Sequence, residues 1–119
     1  MALDRRLRWW HWLPRRKWRL VLAVDEADEI PSELPHRVAV LAGTPENPKW
    51  IALDCPCGQG HRVMLNLDRH RLPVWSLVNE RPLTLSPSID DHGVGRCHFF
   101  IRQGKIKWVQ SETKVQDDQ

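Results

Sequence analysis

Three cysteines and a histidine are the residues of this 119-residue chain best suited to chemistry: Cys55, Cys57 and the pair Cys97-His98. Thiolates with imidazole form a ligand set typical of zinc. Cys55 and Cys57 flank Pro56 and lead into Gly58-Gln59-Gly60. Residues two apart on an extended backbone point the same way, and proline stiffens that spacing. Two thiolates on a tetrahedral zinc ion sit about 3.8 Å apart, given Zn–S bonds of roughly 2.3 Å. The two glycines permit the positive φ that a tight turn needs. Three cysteines cannot all pair within one chain, so metal binding is a better use for them than disulfides. Cys97 and His98 are therefore expected to complete a structural zinc site. Neighbours in a strand face opposite sides, so both can bind only if the backbone turns there. Gly93 and Gly95 would allow such a turn, and His61 and His92 stand as substitutes for the fourth ligand.

Such a site has to be positioned by strands. Nine prolines and six glycines argue for many turns and few long helices. Alternation of apolar residues predicts strands over 18–24, 36–42, 48–54 and 61–67. In the first of these, Trp18, Leu20, Leu22 and Val24 fall on one face. Residues 68–82 fit no single element, because Pro73 and Pro82 limit any helix. A short strand is expected at 83–86 and a loop over 86–93. A closing hairpin is expected, with strands at 98–102 and 105–110 around a Gln103-Gly104 turn. The fold class expected is mostly β, a small single domain of antiparallel strands organised around a zinc-ribbon-like site. Residues 18–110 would form that domain, residues 1–17 a basic Trp/Arg-rich extension, and residues 111–119 a disordered polar tail.

The net charge of +3 conceals an asymmetry. Residues 1–20 carry seven Lys or Arg against one Asp, and the rest carry eleven against fourteen. The domain itself offers no basic surface of the kind that binds nucleic acid. No apolar run is long enough to span a membrane, and the basic start lacks the apolar stretch of a secretory signal, so a cytoplasmic protein is expected.

Three segments together resemble a known family. They are Asp54-Cys55-Pro56-Cys57-Gly58-Gln59-Gly60-His61, Leu83-Thr84-Leu85-Ser86-Pro87-Ser88-Ile89, and Cys97-His98-Phe99-Phe100-Ile101-Arg102-Gln103-Gly104-Lys105-Ile106-Lys107-Trp108. In this order they resemble the bacterial domain-of-unknown-function family 6527, over roughly residues 20–110. Gln59 stands where many members have a further cysteine. The family's usual cysteine, three residues before the histidine, would fall at Gly95. The resemblance implies zinc binding and a place beside ubiquitin-like proteins and their conjugating enzymes, in conjugation or anti-phage defence systems.

The function expected is thus that of a zinc-stabilised interaction or accessory protein. Its partner would be a ubiquitin-like protein or a conjugating enzyme. A zinc-dependent hydrolase is the first alternative, if one metal position stays open and Asp90, Asp91 or Glu80 acts as base. Binding of a membrane surface or nucleic acid through residues 5–19 is the second, since those residues mix cations with tryptophan. Against it, Trp12 and Trp18 could simply pack on the domain while the arginines stay solvated. Ser86 and Ser88 flank Pro87 and read as residues that shape a loop, so no catalytic residue is assigned.

Overall fold

The computed structural model describes residues 6–44, 46–91 and 97–109. The expected tail at 111–119, the start of the N-terminal extension, and His92, Gly93 and Gly95 lie outside them. Nine strands make up the described fold: β1 (Arg19–Val24), β2 (Val38–Gly43), β3 (Pro48–Asp54), β4 (Arg62–Asn66), β5 (Ser76–Glu80), β6 (Leu83–Ser86), β7 (Ile89–Asp91), β8 (Cys97–Arg102) and β9 (Lys105–Trp108). They form a four-stranded sheet β1-β2-β3-β4, a ribbon β5-β6 and a three-stranded sheet β7-β8-β9. The protein is mostly β, with 3-10 turns at Trp9–Trp12 and Ala27–Glu29.

All pairings are antiparallel except that of β1 with β2, which is parallel. A parallel neighbour needs a crossover of a dozen or so residues, and the segment between Val24 and Val38 provides it. The central strand β2 is buried at every position. It is therefore an unbroken apolar run, as expected of a strand covered on both faces.

Those two faces carry separate cores. Ala39, Leu41, Ile51, Leu53, Val63 and Leu65 pack towards the two smaller sheets, around Leu85, Ile89, Phe99 and Ile101. Val38, Val40 and Ala42 pack on the other side beneath Leu7 and Leu34. Trp18 and Leu20 join the first core, but Val24 joins the second. The single face expected for β1 is thus split. A register shift between Leu20 and Leu22 inserts a residue, and one inserted residue sends the rest of a strand to the opposite side.

Trp18, β6 and the final turn meet at one junction. Trp18 N–H donates to the Gly104 carbonyl (2.8 Å), Gly104 N–H to Leu83 (2.8 Å), and Leu83 N–H to Trp18 (3.0 Å). Gly104 has φ +76°, and a Cβ there would lie 2.7 Å from Lys17 Cβ. Glycine is needed for conformation and for space alike. Within residues 6–17, Leu7 is buried and Trp12 packs against the second core, while Trp9, Trp10 and Leu13 stay exposed. Among the described residues, no helix is long and apolar enough to cross a membrane.

Candidate functional site

β3 ends at Asp54, and the chain turns through Cys55-Pro56-Cys57-Gly58-Gln59-Gly60 before β4. Cys55 N–H donates to the His61 carbonyl (2.9 Å), closing the turn at its base. Gly58 N–H donates to the Cys55 carbonyl (3.3 Å), and Gln59 N–H points to Cys57 Sγ at 3.4 Å. Gly58 and Gly60 take φ of +81° and +83° with nothing near a would-be Cβ, so glycine serves conformation alone at both. Below the turn, Arg62 Nε bonds Asp54 Oδ1 at 2.9 Å, and the same guanidinium donates to the carbonyls of Pro31 and Ser32.

The turn brings Cys55, Cys57 and His61 together, and Cys97 meets them from the start of β8. The four ligand atoms lie within 4.8 Å of one another. Cys57 Sγ is 3.7 Å from His61 Nδ1. Three thiols with one imidazole, set this close and partly buried, match the donor set and the coordination number of structural zinc. Burial pushes the Cys55 thiol up to about 12, against a backbone hydrogen bond from Cys57 that lowers it and with the Cys57 and Cys97 thiols as lesser causes of the rise. A bound cation would reverse that balance, because metal displaces the thiol proton.

The fourth member of this group is His61 rather than His98. Cys97 and His98 are strand neighbours, and β8 alternates strictly, with Cys97, Phe99 and Ile101 buried and the residues between them less so. His98 consequently faces away from the sulfurs. Its Nε2 lies 3.0 Å from Ser88 Oγ. Asp90 is directly opposite His98 in the β7–β8 register, so its side chain rises from the same face.

Ser88 is held from behind. Trp75 Nε1–H donates to the Ser88 carbonyl at 3.1 Å. Trp75 N–H in turn donates to the Asn66 carbonyl at 2.8 Å. Buried Asn66 organises the loop between them: its Nδ2 lies within 3.1 Å of the carbonyls of Asp68, Arg71 and Pro73, and its Oδ1 accepts from Asp68 N–H. Sequence reasoning passed over Ser88, because Ser-Pro-Ser reads as a loop. Strand β7, which follows Ser88, lays it beside a residue ten positions on, and the polar run around that strand gave little sign of it in the sequence.

Fold and site together define a small, mostly β protein with a cysteine-histidine cluster that could hold a metal ion and with a serine-histidine pair. Over residues 26–109 the chain matches the family described as BubE, bacterial ubiquitination-like system serine protease, and it belongs to that family. Comparison with curated proteins finds no match, and neither does comparison with solved structures.

Proposed function

We propose that the protein is a serine peptidase of a bacterial ubiquitin-like conjugation system, acting in the cytoplasm, and that its Cys3His knuckle holds zinc as a structural ion. The 3.0 Å contact between Ser88 Oγ and His98 Nε2 carries this reading. A hydroxyl at that distance from an imidazole nitrogen is placed to lose its proton as it attacks a carbonyl carbon. Ser88 Oγ would bond to the scissile carbonyl carbon while His98 takes the hydroxyl proton. His98 would then pass that proton to the leaving amine as the C–N bond breaks, leaving an acyl-enzyme. Water, deprotonated by His98, would release the acyl group and restore Ser88. Asp90, on the face of His98, is the carboxylate that would orient the ring.

The family description supports this activity and this setting. A protein modifier or one of its conjugates is then the substrate, and the partner expected from the sequence becomes the molecule cut. The resemblance to family 6527 fits the same setting. Four donors leave no coordination place open, which favours a structural ion over a metal hydrolase. Binding of lipid or nucleic acid through residues 5–19 has less behind it, since Trp12 and Trp18 pack on the domain.

The test is covalent labelling with a fluorophosphonate probe, followed by peptide mapping. Labelling at Ser88, lost in Ser88→Ala and His98→Ala with melting temperatures unchanged, is the expected result. No labelling of well-folded, metal-loaded protein would overturn the proposal.

A further inference from the structure

The face of β8 that carries His98 continues past it. Phe100 and Arg102 follow at alternate positions, and Lys107 and Lys105 lie opposite them on β9. Directly opposed residues of antiparallel strands share a face. His98 is thus succeeded along one surface by an aromatic ring and three cations. The Arg102 guanidinium is folded back over the Phe100 ring, 4.1 Å from its centre. Among the described residues no carboxylate pairs with Arg102, Lys105 or Lys107.

This surface is the floor of a trough. The segment Thr84–Pro87 forms its wall, and Phe100, Arg102 and Gln103 complete it around a cavity of about 260 Å³. Thr84 Oγ1 accepts from Gln103 N–H at 2.9 Å and ties wall to floor. The wall ends at Pro87, the residue before Ser88. Phe100, in the floor, lies two residues from His98 on the same face of β8, so the trough adjoins the serine-histidine pair.

We propose that this trough binds a carboxylate of the substrate about two residues from the scissile bond, and that Arg102 sets this preference. The position follows from strand geometry. Alternate residues of a strand are separated by about 6.7 Å, so a charge held over Phe100 lies that far from His98. An extended substrate covers the same distance in two residues. The chemistry follows from the guanidinium, whose planar fork matches a carboxylate and whose stacking on a ring holds it in place. Lys105 and Lys107 add positive potential from beyond the fork, which disfavours a basic substrate residue at that place. The carboxylate could be a Glu or Asp side chain or the substrate's own C-terminus. The inference rests on the peptidase reading of Ser88 and His98.

The experiment uses internally quenched peptides carrying Glu, Gln or Lys two positions to either side of the cleaved bond. A parallel set ends in a free acid or an amide at that position. Cleavage of the Glu peptide with kcat/KM about tenfold above the Gln peptide, and further above the Lys peptide, is expected on one side of the bond. Arg102→Ala should erase the preference and Arg102→Glu should reverse it towards Lys. Preference confined to the acid-ended set would identify a terminal carboxylate, and preference in the internal set a side chain. Equal cleavage of all peptides, or a preference that survives Arg102→Glu, would overturn the proposal. Binding of the same peptides to Ser88→Ala, followed by fluorescence anisotropy, separates the two readings. Selective binding of acidic peptides by Ser88→Ala, with no cleavage of any of them by the wild-type chain, would keep the trough and remove the peptidase. Binding without selectivity would remove the trough.

Discussion

The two sides of strand β8 have opposite requirements. Cys97 looks inward to three other ligand atoms, among buried side chains that favour a closed, stiff arrangement. His98, one residue on, looks outward to Ser88, on the less buried side of the strand. Strand alternation alone separates the group that would hold the fold from the group that would do the chemistry. Closeness in sequence is therefore a poor guide to shared function on a strand, and position along a face is a better one. The Cys97-His98 pair makes the case: its members belong to different sites.

That division can be broken or sharpened by experiment. The largest effect should come from the inward side. Cys57→Ser, or removal of the metal by a chelator, should cost stability on the order of 10 kcal/mol, enough to unfold a domain whose total stability is about 5–15 kcal/mol. A thermal melt with metal analysis reads this, and a full-height transition in metal-free protein would contradict it. On the outward side, His98→Ala should lower peptidase kcat/KM by at least about 1,000-fold, while zinc content and melting temperature stay at wild-type values. Loss of zinc in that variant would erase the distinction between the two sides. Asn66→Ala should sit between them. It unseats the loop that carries Trp75 and so loosens Ser88, with a stability loss of about 1–3 kcal/mol and a fall in kcat, measured by denaturant titration and by peptide turnover.

The smallest effect is one of pH and concerns metal uptake. The knuckle thiols must give up their protons to hold an ion, and burial makes that loss harder at Cys55. Zinc affinity, read by competition with a chromophoric chelator, should therefore weaken as pH falls, and an affinity that stays constant on acidification would contradict this.

Much of this was legible in residue types. The knuckle followed from two cysteines around a proline and two glycines, and β3 from seven residues that match the sequence reading end for end. Strand β6 likewise matches the strand read at 83–86, but β5 and β7 were harder. Pro73 and Pro82 obscured β5, and the polar Ser86–Gly93 run hid β7, a strand of three residues. Without β7 there was nothing to bring Ser88 to His98. The choice of His61 over His98 was half legible. The same alternation that places Cys55 and Cys57 on one side sets Cys97 and His98 on opposite sides. Only the return of the chain through Gly60, fixed by its hydrogen bonds, brings His61 to the sulfurs.

The order of the four ligands along the chain has a kinetic side. Cys55, Cys57 and His61 lie within a single turn, so they can meet an ion while the rest of the chain is still open. Cys97 comes thirty-six positions after His61. Bringing such a distant segment back costs about 3 kcal/mol of loop-closure entropy, which an ion already held by three ligands helps to offset. Metal capture would then come early and its completion late, and the arrival of Cys97 would be the event that sets the neighbouring His98 against Ser88. A chain still unfinished at its C-terminal end could hold the ion yet have no competent serine.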